Sequence, residues 1–197
     1  MGVDGVHIVL ASGSPRRREL LAQLGVEFTV HPADIDESVR DGEDPVAYVR
    51  RLSAEKAGAV LDRLHDELAV VIAADTTVDV DGTILGKPAD PAEARSMLAA
   101  MSGRRHHVHT GVTLRLDERS VTEVTTTAVD VVAIDEATAA WYVATGEPFD
   151  KAGGYAIQGA GGVLVAAVTG SVSNVVGLPL ATVRSLATRL GVDLLGG

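Results

Sequence analysis

The stretch that decides the fold is Val6-His7-Ile8-Val9-Leu10-Ala11-Ser12-Gly13-Ser14-Pro15-Arg16-Arg17-Arg18-Glu19-Leu20-Leu21. Its apolar run from Val6 to Leu10 reads as a strand, Ser12-Gly13-Ser14-Pro15 as a turn, and the residues through Leu24 as a helix. Ser14 is placed as the N-cap, Pro15 takes the first helical position where its missing N–H is not needed, and Gly25 closes the helix. Alternation in Val26, Phe28 and Val30 predicts a second strand. Strand, polar turn, helix and strand in succession is the unit from which α/β sheets are built.

Outward from that unit, an acidic loop runs from Asp34 to Asp44 and a helix from Pro45 to about Leu64. Ala69 to Ala74 shows no alternation and reads as a fully buried strand. Val78 to Val80 and Thr83 to Leu85 flank Asp81-Gly82, a hairpin signal because a type I′ turn needs positive φ at both central residues. A third helix is capped by Asp90, with Pro91 first, Glu93 in its first turn and Gly103 beyond its end. Two strands follow around Val108 to Leu116 and Val121 to Val132. A helix from about Glu136 to Ala144, a glycine-rich passage from Gly146 to Gly162, a strand from Val163 to Val168 and a helix opened by Pro179 complete the chain. The alternation predicts an α/β fold with a mixed sheet, and 197 residues at 46% hydrophobic content suit one core, so residues 1–197 are expected to form a single domain.

Composition excludes several classes. Seventeen basic against 27 acidic residues give a formal net charge of -10, which opposes binding to a polyanion, so no nucleic-acid partner is expected. The absence of cysteine removes disulfides, thiolate metal sites and a cysteine nucleophile, and fits a reducing compartment. No apolar run approaches the ~18 residues that span a bilayer. Asp4 and the lack of a basic residue before His7 speak against a secretory signal, which makes the cytoplasm the expected location. Among the seventeen basic residues only Lys56, Lys87 and Lys151 are lysines.

Ser14, Arg16 and Arg17 sit where a strand feeds a helix N-terminus, whose free N–H groups and dipole favour an anion; the alternative is a capped helix with exposed arginines. Neither a P-loop nor a G-x-G-x-x-G pattern occurs. Asp75 is placed at the carboxyl end of its strand, where α/β sheets present side chains to a ligand crevice and a carboxylate can hold a cation or activate water; the alternative is an Asp capping a turn with Thr76 and Thr77. Glu37 lies in the acidic loop Asp34-Ile35-Asp36-Glu37-Ser38, a context that usually means solvation alone. Lys56 shares a helical face with Val49, Ser53 and Val60, and a lysine on a buried face needs a carboxylate or phosphate partner unless its stem snorkels to solvent. Lys87 is fixed between Gly86 and Pro88. His106, His107 and His109 are flanked by Arg104 and Arg105 with no carboxylate nearby in sequence, which argues against a metal site. Gln158, in the glycine-rich passage, has an amide that donates and accepts, as the edge of a base requires; it reads equally as a polar plug in a turn.

The ordered set Leu10-Ala11-Ser12-Gly13-Ser14-Pro15-Arg16-Arg17, Ile35-Asp36-Glu37, Lys56-Ala57, Ala74-Asp75-Thr76, Gly86-Lys87-Pro88, Leu98 through Gly103 with His106 and Thr110, Glu147 to Gly159, and Asn174 to Pro179 resembles the Maf family of nucleoside triphosphate pyrophosphatases over nearly the whole chain. Ala156, where glycine is common, and Val131, where an aromatic is common, depart from the pattern and bear on packing. The resemblance implies two α/β lobes around a central cleft, a fold similar to inosine triphosphate pyrophosphatases. It implies hydrolysis of a nucleoside triphosphate between the α and β phosphates with Mg²⁺ or Mn²⁺. Asp75 matches the proposed general base, Glu37, Lys56 and Lys87 the other catalytic positions, and Arg17, Thr76 and Gln158 the positions tied to the subfamily preferring dTTP and UTP. On this reading Arg16, Arg17 and the helix N-terminus capped by Ser14 hold the triphosphate, Glu37 and Asp75 hold the metal, and Lys56 and Lys87 stabilise the leaving pyrophosphate. A homodimer is a further expectation from the resemblance. Two alternatives stand beside it: a nucleotide-binding regulator of septum formation, and a pyrophosphatase preferring 7-methyl-GTP or a broader set of nucleotides.

Overall fold

A computed structural model describes residues 6–64 and 68–195; Asp4 lies outside the described residues. The elements are β1 (His7–Leu10), α1 (Pro15–Ala22), β2 (Thr29–Val30), α2 (Pro45–Leu61), β3 (Ala69–Val80), β4 (Thr83–Leu85), α3 (Pro91–Met101), β5 (Arg105–Leu116), β6 (Arg119–Val131), α4 (Glu136–Ala144), β7 (Val165–Thr169), α5 (Val172–Val176) and α6 (Leu180–Arg189), with three 3₁₀ turns between α4 and β7. One sheet runs β2-β1-β3-β5-β6-β7, with β4 also on β3. β1 is parallel to β2 and β3, whereas the β3–β4, β3–β5, β5–β6 and β6–β7 pairs are antiparallel, so the sheet is mixed as the alternation predicts.

The largest difference from the sequence reading is β3, which does not end at Asp75 but continues through it to Val80. Polar side chains do not break the strand because β5 supplies the ladder throughout, pairing Asp75 with Gly111, Thr76 with Thr110 and Thr77 with His109. The other edge of β3 is divided. β1 pairs with Ala69 to Ile72 and β4 with Val78 to Val80, so among the described residues no strand pairs with residues 73–77 on that side. The hairpin follows the sequence signal, with Asp81 at φ 52° and Gly82 at φ 85°.

Smaller differences have local causes. α2 stops at Leu61 because the chain tightens into i→i+3 bonds, Arg63 N to Val60 O and Leu64 N to Leu61 O. β7 starts at Val165 because Ala160–Leu164 forms a 3₁₀ turn. The short helix α5 was hidden in a β-branched run, and Ser171 caps it through the amide of Asn174.

Side chains alternate along β3, so its even positions face one side of the sheet and its odd positions the other. On the even side, Val70, Ile72 and Ala74 pack with Leu114, Leu178 and Leu186, while Val78 and Val80 pack with Leu98, Val108 and Tyr142 in a separate cluster. Thr76 and Thr110 lie in register between these two clusters. On the odd side, Val71 and Ala73 pack against Ala57 and Val60 of α2. α2 sits unusually close to the sheet: a Cβ at Gly111 would lie 2.2 Å from the Val49 carbonyl oxygen.

Candidate active site

The interrupted edge of β3 is where the candidate residues gather. Asp75 and Thr76 are neighbours on an open stretch of strand and point to opposite faces. The turn after β1 enters the gap, held by Ala11 N donating to Ile72 O at 2.8 Å. A cavity of about 570 Å³ opens there, and Ser14, Glu37, Asp75, Lys87 and Gln158 are among the residues lining it. That volume is within the ~300–1,000 Å³ usual for small-molecule sites.

On the α2 side, Lys56 is 7% exposed and its Nζ lies 2.6 Å from Asp75 Oδ1 and 2.7 Å from Glu37 Oε1. The partner that a buried-face lysine requires is thus supplied twice, and the stem does not snorkel. Burial works against ionisation of Glu37, but the hydrogen bond and charge of Lys56, with Lys87 and Arg17, outweigh it and hold the carboxyl below its ordinary range. The loop bearing Glu37 is pinned to α2. Arg51 donates to both carboxylate oxygens of Glu43 at 2.6 and 2.7 Å and to Ser38 O at 3.0 Å. The Arg51 hydrogen bonds pull the Glu43 carboxyl down to about 2. Tyr48, which sequence reasoning missed, lines the cavity and donates to Glu37 O at 3.0 Å. Its spacing of eight from Lys56 was the available signal, two positions on one helical face. Burial, then the charges of Asp75 and Glu37, push its phenol up to about 12.

On the opposite face, each side-chain nitrogen of Arg17 makes one hydrogen bond. Nε donates to Gly177 O at 2.8 Å, one terminal nitrogen to Ser12 Oγ at 3.2 Å and the other to Thr76 Oγ1 at 2.9 Å. Thr76 and Thr110 share a hydroxyl contact of 2.9 Å, and Thr110 donates to Asn174 O at 3.1 Å. Asn174 is fully buried and donates to Val108 O and Thr127 Oγ1, both at 2.9 Å, so α5 is fastened into the polar seam between the two apolar clusters. Ser14 accepts the Arg17 amide at 3.5 Å as the cap of α1.

Arg16 meets Asp150, its guanidinium 2.7 Å from Oδ2, across the cavity mouth. Lys87 is exposed on the wall that follows β4, and Gln158 is exposed on the wall formed by the glycine-rich passage. Five basic side chains, Arg16, Arg17, Lys56, Lys87 and Lys151, line the cavity against three acidic ones, Glu37, Asp75 and Asp150. All three lysines of the chain are there. The cavity is therefore locally cationic in a molecule of net charge -10.

The histidine cluster does have a carboxylate nearby, contrary to the reading from sequence. His109 Nε2 lies 3.2 Å from Asp79 Oδ2, thirty residues away, because β5 returns alongside β3. His106 contacts the Tyr155 hydroxyl at 2.8 Å, and burial, then the charge of His107, push its ring down to about 4. Among the described residues no three His, Cys, Asp or Glu side chains converge as a cation site. Glu37 and Asp75 form a pair, and each leaves one carboxylate oxygen without a hydrogen bond among the described residues. Two carboxylates completed by substrate phosphates is the donor set typical of Mg²⁺.

An α/β sheet opened at one strand, with paired carboxylates, cations and a capped helix end at the opening, defines a protein built to handle a small anionic ligand. The chain belongs to the Maf-like protein family, whose model matches residues 7–190. It is 53% identical over 194 residues to the dTTP/UTP pyrophosphatase of Myxococcus xanthus, covering 98% of this chain and 97% of that one. It is 55% identical over 193 residues to the dTTP/UTP pyrophosphatase of an Anaeromyxobacter species, covering 95% and 91%. A solved nucleoside-triphosphatase / dITP/XTP pyrophosphatase from Mycobacterium abscessus aligns at 16% identity with a TM-score of 0.43, covering 68% of this chain and 76% of that one. Among the described residues no helix is long and apolar enough to cross a membrane.

Proposed function

We propose that the chain hydrolyses dTTP and UTP to the monophosphate and pyrophosphate, as a nucleoside triphosphate diphosphatase acting on the nucleotide pool. The observation that carries the reading is Lys56 shared between Glu37 and Asp75 at the open edge of β3, inside a cationic cavity of nucleotide size. The near-identical length and half-identical sequence of relatives named for that activity support it.

Water adds to the α-phosphorus, the bond to the oxygen bridging the α and β phosphates breaks, and pyrophosphate leaves with that electron pair. Asp75 takes the proton from the attacking water through the oxygen that Lys56 does not occupy, since Lys56 fixes Oδ1. Glu37, joined by Asp75 while its carboxylate is unprotonated, would hold a Mg²⁺ or Mn²⁺ ion, which when bound offsets charge on the phosphate oxygens. Lys87 and Lys56 face the charge that develops on the leaving pyrophosphate. The helix end capped by Ser14, together with Arg16, binds the triphosphate, and Arg16 exchanges Asp150 for phosphate. Arg17 fixes the Thr76 hydroxyl beside the nucleotide and keeps one N–H on each terminal nitrogen for the triphosphate, with Gln158 as the second polar group for the base.

Two lobes of residues 1–197 around this cleft, supported by the two apolar clusters on either side of the Thr76–Thr110 seam, and a cytoplasmic location, with which the absence of cysteine fits, belong to the same proposal, as does the homodimer, which rests on the family alone. Pyrophosphate release from dTTP, UTP, CTP and 7-methyl-GTP with Mg²⁺ tests it. The highest kcat/KM is expected for dTTP and UTP, with activity lost in EDTA and restored by Mg²⁺. Tight binding of dTTP without pyrophosphate release sinks the enzyme and leaves the nucleotide-binding regulator.

A further inference from the structure

Gln158 is exposed and makes no hydrogen bond among the described residues, so its amide is placed only by the backbone that carries it. That backbone belongs to a passage of 3₁₀ turns and glycines, in which Gly153, Gly154 and Gly159 all have positive φ. Such a segment holds no regular ladder to keep its position. Lys151 Nζ, which donates to Glu147 O at 2.7 Å, and Gly153 N, which donates to Gly86 O at 2.9 Å, hold its first half, and one carboxylate ties its two ends together. Glu147, at its start, accepts the amide of Ala160 on Oε2 and the amide of Gly161 on Oε1, both at 2.9 Å. Oε1 also accepts the Tyr142 hydroxyl at 2.9 Å, and that hydroxyl accepts the Ala156 amide at 3.1 Å.

The fit leaves no slack. Gly159 has φ +84°, and a Cβ there would stand 2.5 Å from Glu147 Oε2; a Cβ at Gly161 would stand 2.7 Å from the Tyr142 hydroxyl. Tyr142 is fully buried on α4, so the passage is referred to a rigid element rather than to solvent. Burial opposes the charge on Glu147, but the Gly161 amide, Tyr142 and the Ala160 amide outweigh it and hold the carboxyl below its ordinary range. The anchored amides, 156, 160 and 161, bracket Gln158 on both sides.

We propose that Glu147 and Tyr142 are positioning residues for base selectivity: the carboxylate and phenol clasp both ends of the Gln158 wall and set where its amide meets the nucleobase. The inference rests on the reading of Gln158 as a base-edge group. It adds two residues that do not touch the substrate.

The test compares kcat and KM for dTTP and CTP in the full chain with Mg²⁺, in the wild type, Gln158→Ala, Glu147→Gln, Tyr142→Phe and the Gln158→Ala/Glu147→Gln double variant. Tm and hydrogen exchange at the Ala156, Ala160 and Gly161 amides are read in parallel. Each clasp variant loses protection at the amides it unpairs, Ala156 in Tyr142→Phe and Ala160 or Gly161 in Glu147→Gln, and KM for dTTP rises about ten-fold or more, while kcat stays within about two-fold, as loss of binding common to ground and transition states requires. The dTTP preference falls toward that of Gln158→Ala, and the double variant loses no more than Gln158→Ala alone, since residues acting through one another are not additive. If Glu147→Gln does not fold, Tyr142→Phe, which keeps the ring packing, decides. Unchanged selectivity in the clasp variants despite exposed amides, or an equal fall in kcat for both nucleotides, overturns the inference while Gln158→Ala still reports on the base. Unchanged selectivity in Gln158→Ala itself overturns the underlying reading.

Discussion

Lys56 and Lys87 occupy different electrostatic settings, and their variants separate accordingly. Lys87 is exposed at the cavity wall, so Lys87→Ala removes a cation without unpairing a buried group. Its kcat is expected to fall by ~10² to 10³, the usual cost of losing one preorganised charge contact; near-normal turnover would remove it from the mechanism. Asp75→Asn is expected to be at least as damaging, because it removes both the proposed proton acceptor and one of the two carboxylates on Lys56. Lys56→Arg keeps the charge but replaces a compact ammonium, seated 2.6 and 2.7 Å from two carboxylates, by a planar fork that needs more room. Most of the turnover is expected to go, and an active Lys56→Arg enzyme shows that only net charge counts. Asp75, Glu37 and the lysines were legible as residues, since their motifs are local. That one ammonium bridges Glu37 and Asp75, 38 positions apart, was not.

At the scale of elements, the position of α2 matters most, because it carries Lys56 and anchors the loop of Glu37. Gly111 is the contact that allows it. Gly111→Ala would force its Cβ against the Val49 carbonyl, lifting α2 from β5. Overpacking of this kind costs ~1–3 kcal/mol, and for a domain of ~200 residues each kcal/mol lowers Tm by about 2–4 °C. A fall of that size in Tm, with activity reduced beyond it because Lys56 moves with the helix, is the expected outcome; an unaltered Tm shows that α2 has space to spare. Most elements could be read from periodicity and caps: Ser14 and Asp90 accept amides of the first turn as the sequence predicts, and Asp44 and Asp135 do the same for α2 and α4. α5 could not, since Val172, Val175 and Val176 favour a strand locally, and tertiary bonds hold the helix in place, from Asn174 to β5 and β6 and from Thr110 to the Asn174 carbonyl. Nor could the length of β3, because pairing with β5 overrides the turn preference of Asp75 and the threonines.

For the whole molecule, His106 links stability to pH. Its ring is 1% exposed and pushed down to about 4, whereas an unfolded histidine titrates near ~6.5. The unfolded chain therefore binds the proton first, and stability is full above about pH 6.5 and is lost as pH falls toward about 4. The loss is about 3 kcal/mol. Unfolding free energy measured from pH 7 to 4 is expected to fall less steeply in His106→Gln, and parallel curves would discharge His106 from the effect. At this scale net charge misleads, for a surface average of -10 surrounds a cavity with five cations and three anions. The sequence by itself determined the alternation of strands and helices, the Ser14 and Asp90 caps, the Asp81-Gly82 hairpin and most of the polar residues in the cleft, Tyr48 and Asp150 excepted, because each lies in a motif a few positions long. Tertiary structure alone decided that β1 and β4 leave residues 73–77 of β3 without a paired strand on that edge among the described residues, that Arg17 holds Thr76, and that Asp150 holds Arg16. Those facts depend on which strand edges pair and how closely α2 approaches the sheet, and such pairings are settled by packing across the fold, where no local pattern reaches.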